Sequence, residues 1–261
     1  MLKIKASITG VIGGFVSGMT GIGGGTVMVP LLTGFVQMRQ HRAHATSLVI
    51  VIFVAISAAT QYLMRDQIRW DLAIALSIGA VVGAQIGART MHSMPEKNLR
   101  IIFAIFLFVV GVRLIFGNSI IDLSFDGQTL SSNMQTVSAL LIGLIGGAFG
   151  GLLGIGGGAI FVPALVLILG QDQHIAQGVS LIVIISTALS GTAVNLQSGY
   201  IDKKIVIWVT PPAIVLAIIG GYIAGLLDSE TLSRVFGIVV LYVAIRSFYS
   251  TWKKSRQTNH S

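Results

Sequence analysis

Two short stretches of this 261-residue chain hold residue types that can bind an anion without a charged side chain. In the first, Gly23, Gly24 and Gly25 precede Thr26; in the second, Gly156, Gly157 and Gly158 precede Ala159. Adjacent glycines allow positive φ and leave backbone N–H groups unshielded. The apolar segments after them start as helices, and a helix N-terminus gathers unpaired donors and about half a positive charge. An oxyanion suits that end. Tight helix packing is the competing role for glycine. It fits Gly10/Gly14/Gly18, Gly143/Gly147/Gly151 and Gly79/Gly83/Gly87, all at four-residue spacing. Three glycines in a row are poor helix and serve packing badly, so the two triplets are assigned to substrate.

Neutral donors inside the apolar segments form a second set. Thr26 follows the first triplet; Ser47 and Ser180 each lie at the start of the helix beyond a hairpin, with Gln177 nearby. Hydroxyl and amide groups ligate oxyanions, although Ser and Thr also bond to their own helix backbone. Ser47 and Ser180 stand out because they match across a repeat described below. His41, His44 and His174 are read as interfacial structure, not as a metal site, and Arg113 and Arg246 as side chains that reach toward lipid headgroups.

Several chemistries are excluded. No Asp or Glu lies deep in an apolar segment, which argues against a Na⁺ or H⁺ site. The absence of cysteine removes thiol nucleophiles and thiolate metal sites. Ala188-Leu189-Ser190-Gly191 matches an intramembrane serine protease motif only in part, since Ala188 stands where Gly is expected. Gly18 to Gly25 lacks the lysine of a phosphate-binding loop. No enzyme, metal or cofactor is expected.

What must position these residues is a membrane bundle. The chain is 54% hydrophobic and 10% charged, where soluble domains carry about 25% charged residues. Its net charge of +8 comes from Lys and Arg clustered between apolar runs, the pattern of cytoplasmic loops and not of a nucleic-acid groove. Lys3 and Lys5 before an apolar run look like a signal peptide, but that run matches the segment from Ala139 to Gly150 and is read as part of the fold.

The chain is one unit written twice. At an offset of 133 residues Gly21 matches Gly154, Pro30 matches Pro163, His41 matches His174, Ser47 matches Ser180 and Arg113 matches Arg246, with no gap. Each half reads as five apolar segments: about 6–20, 25–38, 43–64, 71–91 and 98–116, then about 138–153, 158–170, 176–197, 205–226 and 232–249. The first repeat covers residues 1–116, an extracytoplasmic linker 117–135, the second repeat 136–249, and a basic, frayed tail 250–261. With both termini inside and each short pair returning to its own side, thirteen Lys and Arg lie inside and four outside. That bias supports the orientation. An odd net number of crossings per half makes the halves an inverted repeat.

About 15 residues of helix rise roughly 22 Å against a hydrocarbon core of about 30 Å. A pair that short turns within the membrane, and inverted copies bring their hinges together from opposite faces. Irregular backbone at that depth needs protein or a water-filled cavity around it. Transporters build midplane substrate sites this way.

Two copies of G-x-G-G-G…V-P, at Gly21 to Pro30 and Gly154 to Pro163, one opening each half, resemble the TauE/SafE sulfite exporter (TSUP) family over essentially the whole chain. The resemblance implies an all-α integral membrane protein that transports, often outward, a small sulfur-containing anion such as sulfite or an organosulfonate. The expected architecture is two inverted repeats, each a glycine-hinged hairpin plus three transmembrane helices, in the inner membrane. The residues expected to bind substrate are Gly23, Gly24, Gly25, Thr26, Ser47, Gly156, Gly157, Gly158, Gln177 and Ser180. Partners are the small anion and membrane lipid; a homo-oligomer is compatible with this surface. A passive anion channel is the near alternative and an intramembrane hydrolase the distant one.

Overall fold

Long runs of Ile, Val, Leu and Ala have one local way to satisfy their backbone in lipid, the α-helix. The computed structural model describes residues 2–90, 96–117, 131–153, 157–196 and 199–258, and among them forms ten helices and no strand. The first half holds α1 (Leu2–Thr20), α2 (Gly25–Gly34), α3 (Gln40–Leu63), α4 (Trp70–Thr90) and α5 (Glu96–Phe116). The second holds α6 (Ser132–Leu153), α7 (Gly158–Leu167), α8 (Gln173–Leu196), α9 (Lys203–Ala224) and α10 (Ser229–Thr258). Six of them, α3, α4, α6, α8, α9 and α10, are long and apolar enough to cross a membrane. The chain is a multi-pass membrane protein. Its surface agrees: Ile74, Ile78, Val82 and Ile86 form an exposed apolar stripe along α4, as lipid contact requires.

Three boundaries differ from expectation. The first hairpin arms are not short: α1 has 19 residues and α6 has 22, about 28 and 33 Å at 1.5 Å per residue. Only α2 and α7, at 10 residues each, fall well short of a crossing. Extension of α6 back to Ser132 takes up the polar end of the linker, where Gln135 accepts a hydrogen bond from Arg69. The tail is helical to Thr258 instead of frayed, because nothing in Lys253 to Arg256 breaks the helix that α10 propagates. Linker residues 118–130 lie outside the described residues.

The halves interlace. Gly10, Gly14 and Gly18 of α1 lie on the carbonyls of Val209, Ala213 and Ala217 of α9, so closely that any Cβ would collide with them. At the repeat offset, Gly143 and Gly147 of α6 lie on Leu76 and Ala80 of α4 in the same way, and Gly79, Gly83 and Gly87 approach α6 from the other side. These glycines serve close packing. The counterparts α3 and α8 run antiparallel: Tyr62 lies beside Gly178 near one end, and Leu48 beside Gly191 toward the other. Described carboxylates sit at helix ends, with Asp71 in the first turn of α4, Asp202 capping α9 and Glu230 in the first turn of α10.

Candidate functional site

Each hinge puts a left-handed glycine at the mouth of a short helix. Gly24 precedes α2 at φ 71° and Gly157 precedes α7 at φ 74°, neither with a side-chain capping bond. An L-residue enters that region only at a cost. The α2 ladder begins with Val27 and Met28 donating to Gly24 O, and α7 repeats it with Ile160 and Phe161 donating to Gly157 O. Pro30 and Pro163 then fall inside the helices. Lacking an N–H, they leave the carbonyls of Thr26 and Ala159 without helical donors.

The two hinges meet. A Cβ on Gly158 would strike the carbonyl of Ile22, and the Ile184 side chain lies against both Gly23 and Gly158. Ile184 stands at mid-length of the 24-residue α8.

Around the first hinge, buried polar atoms gather without partners. Gln177, Ser180 and Ile184 follow helical spacing and form one stripe of α8. A Cβ on Gly21 would fall 2.7 Å from Gln177 Cβ, and Ile184 touches Gly23; Ser180 lies between these two on the same stripe. Gln177 Nε2 and Ser180 Oγ are buried with no hydrogen-bond partner, as are Ser17 Oγ and Thr26 Oγ1. Ser17 Oγ lies 3.5 Å from where a Gly24 Cβ would stand. The Tyr62 hydroxyl is 2.6 Å from Gln177 Oε1 and 3.2 Å from Gly18 O; the shorter contact takes its one proton.

The second hinge is chemically different. At the repeat offset Ser17, Thr26 and Gln177 become Gly150, Ala159 and His44. A Cβ on Gly157 would meet the Phe161 ring at 2.7 Å, and α7 is buried and apolar from Gly158 to Leu165. Ser47 donates to His44 O at 2.8 Å, which commits its proton to its own helix. Gly156, with Gly154, lies outside the described residues. The structure thus brings Gly23 and Gly158 together at Ile184, with Gln177 against Gly21 and Ser17 against Gly24, and gives Gly157 and Ser47 other neighbours; Thr26 follows the hinge in the first turn of α2 and Ser180 stands one turn from Gln177 on α8. Sequence reasoning missed Ser17, one turn before Gly21, and Tyr62.

Several other polar residues bond within the fold. Thr46 accepts from Asp202 N–H at 3.0 Å, and Ser57, Thr60, Ser186 and Thr187 bond to their own helices. His174 lies against Asp172 and the carbonyls of Ala224 and Leu227, tying α8 to the end of α9. No cluster of metal-ligating side chains occurs among the described residues. Arg65, one turn past Tyr62, directs its guanidinium to the carbonyls of Gly221 and Tyr222. Two cavities, of about 440 and 490 Å³, open at the ends of the bundle, beside Arg113 and Asp172 and beside Arg39 and Asp202. Neither touches a hinge.

Comparison with known proteins adds a lineage. The family model described as Sulfite exporter TauE/SafE matches residues 2–114 and 139–261, nearly all of both halves. A probable membrane transporter protein of Bacillus subtilis, YunE, is 24% identical over 261 residues, covering 93% of this chain and 96% of its own. A probable membrane transporter protein of Xylella fastidiosa is 28% identical over 247 residues, covering 92% of each. A segment of 65 residues is 43% identical to Sulfite exporter TauE/SafE family protein 3 of Arabidopsis thaliana, covering 25% of this chain and 14% of that one. No solved structure matches.

Proposed function

The chain belongs to the sulfite exporter TauE/SafE family of membrane transporters, and from that membership we propose that it exports a small sulfur-containing anion, such as sulfite or an organosulfonate, through a midplane site between its two glycine hinges. The observation that carries this reading is Ile184: one residue at the middle of a spanning helix touches both Gly23 and Gly158, with buried unpaired donors beside it. The antiparallel run of α3 and α8 supports opposite insertion of the halves, and the bias of thirteen Lys and Arg inside against four outside supports both termini on the cytoplasmic side of an inner membrane.

Alternating access then moves bodies that differ from the two sequence halves. The glycine faces lock α1 to α9 and α6 to α4, so each moving unit is assembled from both halves. Reconstitution in liposomes tests the reading. Preloaded unlabelled sulfite or methanesulfonate should drive saturable uptake of the labelled anion. Flux that rises linearly with concentration, with no exchange, would identify a passive channel instead.

A further inference from the structure

The hinges are related by sequence, but their surroundings are not chemically alike, and the difference bears on what the site can hold. Resting on the transport reading above, we propose that the anion is bound by the first hinge alone, through neutral donors, and that the site selects singly charged oxyanions over doubly charged ones.

Four buried polar side chains belong to the segments that meet at the first hinge, each at least nine-tenths buried: Gln177 against Gly21, Ser17 against Gly24, Thr26 in the first turn of α2, and Ser180 one turn from Gln177 on the same stripe of α8. Each has a polar atom without a partner. A buried donor left unpaired is costly, so four at one place mark a position where a ligand completes the bonding. Tyr62 fixes the sense of the most specific donor. By donating to Gln177 Oε1 it turns the amide so that Nε2, which carries two N–H groups, is the free end. Three hydroxyls and one amide together offer a sulfonate-like group a donor for each oxygen. Among the described residues the second hinge shows no equivalent set, since Gly150, Ala159 and His44 replace three of these residues and Ser47 is bonded to His44 O.

Among the described residues, the side chains against Gly21, Gly23 and Gly24 are Gln177, Ile184, Ser17 and Met28, none of them charged, and Arg65 is engaged with carbonyls of α9. The cost of taking an ion out of water rises with the square of its charge, and only a counter-charge or strong hydrogen bonding offsets it. Neutral donors suffice for one charge. For two the same donors must offset a larger cost, so hydrogen sulfite and organosulfonates are favoured over sulfate.

Calorimetry on the purified full-length protein tests this with methanesulfonate and sulfate as probes. Methanesulfonate should bind at least about ten-fold more tightly than sulfate. Gln177→Leu and Ser180→Ala should each weaken methanesulfonate by about 10- to 100-fold, the range for a lost hydrogen bond to a charged group. Ser47→Ala should leave it unchanged. Sulfate bound as tightly as methanesulfonate overturns the charge selection and leaves the transport reading intact. Equal losses from Ser47→Ala and Ser180→Ala overturn the one-hinge site. If neither probe binds and no sulfur oxyanion exchanges in liposomes, the transport reading falls as well. A melting curve on each variant separates unfolding from lost binding. Ser180→Cys, which keeps a small polar group, serves if Ser180→Ala does not fold.

Discussion

The Tyr62 hydroxyl donates to Gln177 Oε1 across 2.6 Å, joining α3 of the first half to α8 of the second. Both side chains are buried, and the bond lies beside the first glycine hinge. Tyr62→Phe removes the donor without opening much space. Anion affinity should fall about five-fold, the size of one neutral hydrogen bond of about 1 kcal/mol. Because Tyr62 acts through Gln177, Tyr62→Phe combined with Gln177→Leu should bind no worse than Gln177→Leu alone. Additive losses by calorimetry would show that Tyr62 contributes separately.

The interlaced glycine faces give a stability prediction. Alanine at Gly14 or Gly147 places a methyl group on a backbone carbonyl, which cannot rotate away. The gain in helix propensity is about 1 kcal/mol, against roughly 1–3 kcal/mol for overpacking. The clash should win at both positions, with a lower thermal midpoint in detergent. Gly34→Ala is the control, since its nearest neighbour would be the Arg246 guanidinium at 3.9 Å. A midpoint for Gly14→Ala at or above wild type would contradict the packing.

Gly24 and Gly157 share a backbone conformation but not a neighbourhood. Gly24→Ala has room, with Ser17 at 3.5 Å, and meets only left-handed strain of about 1–2 kcal/mol. It should fold and bind anion more weakly. Gly157→Ala meets the same strain and also the Phe161 ring at 2.7 Å, so it should be the less stable of the two. Adding Phe161→Leu to Gly157→Ala should recover part of the loss. Equal melting of the two single variants would place Phe161 elsewhere.

Acid should loosen the junction of α8 with α10. Burial by itself raises the Asp172 carboxyl, but hydrogen bonds from the Ser229 hydroxyl and from His174 outweigh it and hold the group below the ordinary 3.8. A lowered folded-state value means stability that is present above pH 3.8 and lost as pH falls through the lower value. Asp172→Asn should remove that acid-side slope. Melting scans from neutral pH into strong acid, with an unchanged slope in the variant, would assign the acid sensitivity to other groups.

Orientation is open to a clean chemical test because the chain has no native cysteine. With Ser131→Cys and Ser255→Cys made singly, an impermeant thiol reagent on intact cells should label the first and spare the second. Labelling of both from outside would place the tail with the linker.

The parts of the fold that were legible in the sequence are those set by local rules. Apolar runs gave α3, α4, α8 and α9 within a few residues, and four-residue glycine spacing marked the faces of α1, α4 and α6. The length of α1 was not legible, because Lys3 and Lys5 read as a loop although the helix carries them. Their stems reach aromatic rings, Lys3 over Trp208 and Lys5 over Phe35. Gln177 and Ser180 were recognisable as polar residues on an apolar helix. Tyr62 was not, since its partner lies 115 residues away and a tyrosine at a helix end has no distinguishing local pattern. The unlike hinges could be read as Thr26 against Ala159, but their meeting at Ile184 depends on how two halves cross.

That crossing also sets an order of assembly. The seat for α1 is α9, so Gly14 meets Ala213 only after about 200 further residues have left the ribosome. Until then α1 sits in the bilayer with a bare strip of glycine backbone facing lipid. The first half made alone would carry α1 without α9, and α4 without α6. Neither half is a folding unit, so a chain cut in the linker should regain a native bundle only when both pieces are made together.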